Sequence, residues 1–170
     1  MAARVLVVDD EPAILQVVGL ILTRAGYEVL RAGGASRALN FVRENPRIDL
    51  VLSDVMMPEM EGPELVREVR RIAPGTATVL MSAGAGTNHE VLPPGTPVLR
   101  KPLSKEQLLW TVESVLAKSA RAALDLGQAC EQAADLRRQA SKIRAAIDDL
   151  MRRAGDTVQN SRDLLERTKD

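Results

Sequence analysis

At 170 residues the chain is long enough for one sizeable domain, or for one compact domain with an appendage. Lys and Arg total 23 and Asp and Glu total 23, so the formal net charge is zero and no basic excess marks a nucleic-acid footprint. One cysteine excludes an internal disulfide and a cysteine zinc site, a single histidine (His89) excludes a histidine cluster, and 2% aromatic content leaves an aliphatic core without stacking platforms. No apolar run approaches the roughly 18 residues of a membrane span, and MAARVLVVDD is too short for a signal-peptide core, so the expected location is cytoplasmic.

The stretch from Met1 to about Leu103 holds all nine prolines, and it alternates short apolar runs with amphipathic ones. Arg4-Val5-Leu6-Val7-Val8 followed by Asp9-Asp10 reads as a buried parallel strand ending in acids. Pro12 suits the first turn of a helix, and Ile14, Leu15, Val18, Ile21 and Leu22 continue it to near Gly26. Tyr27 to Leu30 is a second strand. Gly33 and Gly34 lead into a helix with Ala38, Leu39 and Val42, ended by Pro46. Asp49 to Asp54 is the third strand. Pro63 opens a helix carrying Leu65, Val66, Val69 and Ile72, ended by Pro74-Gly75. Thr76 to Ser82 is the fourth strand, and Val98 to Pro102 contains the fifth.

Strands alternating with helices predict an α/β fold: a doubly wound, five-stranded parallel sheet with helices on both faces. Chemistry in such sheets sits at the carboxyl ends of the strands. Asp9 and Asp10, Asp54, Ser82 and Lys101 each fall at such an end, so folding would gather residues that lie far apart in the chain. Three crowded carboxylates repel one another and call for a cation, and an oxygen-rich site suits Mg²⁺. A carboxylate is also a competent nucleophile toward phosphorus. Transfer of a phosphoryl group needs positioning and charge neutralisation, for which the Lys101 ammonium and the Ser82 hydroxyl are candidates.

These motifs together (VLVVDDEP, then Asp54-Val55-Met56-Met57-Pro58-Glu59-Met60-Glu61-Gly62, then MSAG, then RKPL) resemble the response-regulator receiver family of two-component signalling, from Arg4 to about Leu116. The resemblance implies the flavodoxin-like receiver fold and a set of roles. Asp54 would accept a phosphoryl group from a partner histidine kinase or phosphotransfer protein. Asp10 would bind Mg²⁺ directly, Asp9 mainly through water, and Asp54 and the Met56 backbone carbonyl would complete the protein ligands. Ser82 would be the switch hydroxyl, Lys101 would pair with the phosphate, and Pro102 would shape the turn, often through a cis peptide. Receivers usually carry an aromatic residue three positions before this lysine. Here the position is Val98, so no ring can report phosphorylation by turning inward. The stretch from Ala83 to Leu99 is rich in Gly and Pro, which predicts a truncated or irregular fourth helix.

From Ser104 onward there is no proline, and Ala, Leu, Arg, Gln and Asp dominate. Ser104 is a candidate N-cap followed by Glu106-Gln107. A heptad-like seam runs through Val115, Ser119, Ala122, Leu126, Ala129, Ala133, Leu136, Ala140, Ile143, Ile147, Leu150 and Ala154, with a break expected at Gly155-Asp156 and a last helix carrying Val158, Leu164 and Leu165. The expected domains are residues 1–117 as receiver and 118–170 as a helical extension continuous with the last receiver helix. A long helix is stable mainly through packing, so this one should find a partner in a second copy, its own receiver domain or another protein, with a homodimer expected. No helix-turn-helix with a basic face appears, so direct DNA binding is not expected, nor is membrane association. Trp110 reads as a helix packing residue, Cys130 as a small helical residue beside the seam, and Arg137-Arg138 and Arg152-Arg153 as solvated faces. Gly84-Ala85-Gly86 reads as a flexible loop and His89 as an ordinary loop residue.

The functional expectation is a two-component response regulator that is not an enzyme beyond self-catalysed phosphotransfer and dephosphorylation. The alternative is an adaptor whose receiver is a constitutive docking module. A haloacid-dehalogenase-like phosphatase needs an Asp-x-Asp motif after the first strand, which Asp9-Asp10-Glu11 does not supply.

Overall fold

A computed structural model of the chain describes residues 2–45, 47–84 and 92–167, the side chains of residues 146, 150 and 153–167 excepted. Pro46, Ala85, Gly86 and His89 lie outside the described residues. The elements follow as β1 (Arg4–Val8), α1 (Pro12–Arg24), β2 (Glu28–Ala32), α2 (Ala35–Glu44), β3 (Leu50–Asp54), α3 (Gly62–Ile72), β4 (Ala77–Ser82), β5 (Val98–Arg100) and α4 (Lys105–Arg167). The five strands pair in parallel in the order β2-β1-β3-β4-β5. Compact units cover Met1–Ala123 and Leu124–Asp170, so the division falls within α4.

Strand side chains alternate between faces, and here both faces are buried, which is why β1 and β3 read as unbroken apolar runs. Leu6, Val8 and Val51 pack on one side against Ala38, Leu39 and Val42 of α2 and Leu65 and Val69 of α3. Val5, Val7, Leu50 and Leu52 face the other way, against Val18 and Leu22 of α1 and Leu108 and Val112 of α4. The aliphatic core expected from the scarcity of aromatics is the one observed.

The helix ends follow local chemistry. Gly26, at φ 94°, takes the left-handed conformation just beyond α1, where glycine carries no steric cost. Ser104 caps α4: its Oγ accepts a hydrogen bond from Gln107 N at 3.1 Å. The expected break at Gly155-Asp156 does not occur, and the helix runs through both residues. A helical glycine costs only about 1 kcal/mol relative to alanine, and without a proline beyond it the i to i−4 ladder continues. Trp110 is also not a packing residue. It is 71% exposed, because Leu108, Thr111 and Val112 take the inward positions of that turn. Between β4 and β5 the described residues 92–97 form only bends and turns. Arg70 of α3 holds this stretch, donating to the Pro94 carbonyl at 3.0 Å and to Thr96 Oγ1 at 2.6 Å.

Leu52 is fully buried at the centre of the sheet. Leu52→Ala is expected to lower stability by about 2–5 kcal/mol through lost burial and a residual cavity. A fall in the urea midpoint at unchanged slope is the measurement that checks this.

Candidate functional site

The sheet order reverses direction between β2-β1 and β1-β3-β4-β5, and such a switch point opens a crevice at the carboxyl ends of the strands. Asp9 follows β1 and Asp54 ends β3, the neighbouring strand. Ser82 ends β4, and Lys101 follows β5. Four short strands in register thus bring together residues that the sequence separates by up to 92 positions.

Lys101 Nζ lies 2.9 Å from Asp9 Oδ2 and 2.6 Å from Asp54 Oδ1, bridging the two carboxylates. Asp9 has no exposed surface, and Asp54 is also buried. Their remaining oxygens take backbone donors. Glu11 N donates to Asp9 Oδ1 at 2.9 Å, and Met56 N donates to Asp54 Oδ2 at 2.9 Å. Burial alone would lower the Lys101 pKa, but the hydrogen bonds and charges of Asp54 and Asp9 outweigh it and hold the ammonium above the ordinary lysine value. The backbone of Lys101 is anchored as well, its N–H donating to the Ser82 carbonyl at 2.7 Å. The Lys101–Pro102 peptide bond is cis. Ser82 is buried, and its Oγ lies 3.4 Å from the Gly84 carbonyl.

Asp10 is the exception to the expected convergence. It is exposed beside the buried pair, so the crowd of three carboxylates is instead two bridged by a lysine. Among the described residues no three acidic, cysteine or histidine side chains form a ready-made metal cage. Mg²⁺ does not need one, since it is held by one or two carboxylates and keeps several waters. The donor set fits such a cation: two carboxylates against one ammonium leave net negative charge at the crevice, and the exposed Asp10 adjoins Asp9 in the chain.

Two contributors escaped the sequence reading as physical parts of the site. Gly62 supports Asp54 from behind: a Cβ there would lie 2.1 Å from the Asp54 carbonyl oxygen, and Gly62 N donates to the Val55 carbonyl at 2.9 Å. The glycine four residues after Pro58 was visible as part of a motif, but the close backbone approach that requires it was not. Glu59 holds a left-handed φ of 71° within the same loop, and Ser36 Oγ donates to its carboxylate at 3.3 Å. Val98 is half-buried and packs with Leu92 against the aliphatic cluster of Val55, Val66 and Leu80.

The response regulator receiver domain model matches residues 5–113, and the chain belongs to that family. Residues 5–113 are a response regulator receiver domain, and α4 continues past the matched residues. Over 123 residues the chain is 34% identical to the transcriptional regulatory protein GlrR of Escherichia coli strain K12, covering 71% of this chain and 28% of that protein. Over 124 residues it is 36% identical to the sensor kinase CckA of Brucella abortus, covering 69% of this chain and 13% of that one. The CheY-like receiver domain protein of Methanospirillum hungatei superposes with a TM-score of 0.67 at 30% identity, covering 72% of this chain and 99% of that structure. The chain therefore spans only a minor part of the curated relatives named, which carry much else besides.

Gly62→Ala is expected to cost about 1–3 kcal/mol, because the clash is with backbone and cannot be relieved by a rotamer change. Thermal unfolding checks it, and the Met56 amide resonance should shift as Asp54 moves. Lys101→Met leaves two facing carboxylates without their cation and should lower stability by roughly 2 kcal/mol at neutral pH, less than for a fully buried pair because solvent reaches the lysine. The folded-state pKa of Lys101 is raised, so its contribution is complete below the ordinary lysine pKa of 10.5 and is lost as pH rises through the higher folded value. The stability gap between wild type and Lys101→Met should accordingly be flat from neutral pH to about 10 and close above it, which chemical unfolding across that range would check.

Proposed function

We propose that this receiver accepts a phosphoryl group on Asp54 from the phosphohistidine of a partner kinase or phosphotransfer protein. The observation that carries the reading is the Lys101 bridge, which places a cation against Asp54 Oδ1 in a crevice with unbalanced negative charge. In the transfer, a P–N bond of the phosphohistidine breaks with its electron pair returning to the imidazole, and a P–O bond forms to an Asp54 carboxylate oxygen. Catalysis here is positioning and charge neutralisation. Mg²⁺ held by Asp9, Asp10, Asp54 and the Met56 carbonyl would neutralise charge on the phosphoryl oxygens. Lys101 exchanges its bond to Asp54 for one to a phosphoryl oxygen while keeping Asp9. The Ser82 hydroxyl, close to the loop carbonyl of Gly84, turns to donate to another. The chain is not an enzyme beyond this self-catalysed transfer and the later loss of phosphate.

Output runs through the helix beyond the receiver rather than through DNA contact. Leu126, Leu136, Ile143 and Ile147 are all exposed along α4, at heptad spacing. Fully burying each such side chain contributes about 1.5–3 kcal/mol, which supports self-association into a homodimer. The seam available to a partner is shorter than the heptad pattern alone implies. Val115 is already packed on the receiver core, and Ser119 Oγ lies 3.4 Å from the Gly75 carbonyl. Among the described residues no helix is long and apolar enough to cross a membrane. The adaptor reading draws support from the aliphatic cluster at Val98, which offers no ring to move.

Incubation with a small-molecule phosphodonor and Mg²⁺, followed by intact mass, separates the two readings. One phosphoryl adduct is expected on the wild type, none on Asp54→Ala, and formation slowed by about 10²-fold on Lys101→Ala. An unmodified wild type favours the adaptor. Leu136→Asp with Ile143→Asp is expected to convert a dimer to a monomer by light scattering while leaving receiver unfolding unchanged.

A further inference from the structure

We infer that the tail self-associates antiparallel, with a two-fold axis close to residue 138. This rests on the self-association proposed above and adds its direction and register. The observation is a mirror pattern in the seam. Ala129, Leu136 and Ile143 occupy one core position of the heptad, and Ala133, Ala140 and Ile147 occupy the other. Between residues 129 and 147, counted outward from residue 138, each small seam residue has a large one at equal distance on the other side, whereas farther out Ala122 mirrors Ala154 and Leu126 mirrors Leu150. Leu136 mirrors Ala140, Ala133 mirrors Ile143, and Ala129 mirrors Ile147. All three large residues are exposed, at 65%, 61% and 52% for Leu136, Ile143 and Ile147.

A parallel, in-register pair places each residue opposite itself. Ala129, Ala133 and Ala140 would then form three thin layers among the thick layers of Leu136, Ile143 and Ile147. Helices pack at roughly 8–10 Å depending on the side chains between them, so one pair cannot suit both kinds of layer without voids or crowding. The antiparallel pair puts one alanine against one leucine or isoleucine in each of its six layers, over about 27 Å of helix at 1.5 Å per residue. Layer volume is then uniform, and the alanines allow close approach throughout. The arrangement also brings the two copies of Arg137 near each other on one flank. Both are long, exposed side chains, so their repulsion is small beside six filled layers and is screened by salt.

Cysteine cross-linking of the full chain tests this in a Cys130→Ser background. Ala133→Cys and Ile143→Cys variants are made separately, confirmed as dimers by light scattering, mixed and oxidised. Antiparallel pairing is expected to give the mixed Ala133–Ile143 disulfide at about tenfold or greater excess over either self-linked product. In that register two copies of residue 133 are about 15 Å apart along the axis, beyond disulfide reach. A self-linked Ala133→Cys dimer as the main product would show parallel pairing and overturn the inference while leaving self-association standing. A dimer yielding neither product would overturn the seam itself. A monomeric wild-type chain would remove both the homodimer and this direction for it.

Discussion

One ammonium group shared by two buried carboxylates holds the carboxyl edge of this sheet together. Asp9 and Asp54 stand on neighbouring strands and would repel each other across the switch point. Lys101 reaches them from the far edge of the sheet, beyond β4 and β5. Its contacts therefore tie β1, β3 and β5 into one electrostatic unit. The backbone follows the same logic: Glu11 N and Met56 N each secure one carboxylate oxygen, and Lys101 N is fixed to Ser82. The site is preorganised around charge that is only partly compensated, which is the property an incoming cation and a phosphoryl group would exploit.

Much of this was legible in the chain because burial on both faces leaves an unmistakable mark. Val5 to Val8 and Leu50 to Leu52 have no polar residue to interrupt them; the first run stops at Asp9, and the second is followed by Ser53 and then Asp54. The cap at Ser104 was legible for a similar reason, since local hydrogen bonding decides it. What was hidden depends on three-dimensional packing. No spacing rule states that Gly62 must clear the Asp54 carbonyl, or that Arg70 reaches from α3 to the turn before β5. The exposure of Asp10 was equally invisible, because adjacent residues leaving a strand point in different directions, and only one of the two acids can lie inside. Trp110 was misread for a related reason: a large apolar residue on a helix says nothing about its face when smaller neighbours already satisfy the core.

The extension shows the limits of breaker residues as punctuation. Gly155-Asp156 would suit a helix end if a left-handed turn or a proline followed it, and neither does. Helices end where competing structure is available, and here the chain offers none. The same continuity means that the helix packed on the sheet through Leu108 and Val112 is the one that carries the exposed leucines and isoleucines. Receiver and extension share a single backbone ladder, with no loop between them.

The exposure of Trp110 has a practical consequence. It is the only tryptophan in a chain with one tyrosine and one phenylalanine, and it stands on the helix that leads out of the receiver. Its indole is bathed in water, so its fluorescence should lie at the long-wavelength end of the tryptophan range and be readily quenched by iodide or acrylamide. Almost no other signal overlaps it. Any ligand, partner or conformational change that covers this turn of α4 would shift the emission to the blue, which makes the native chain its own optical probe without a label or a substitution.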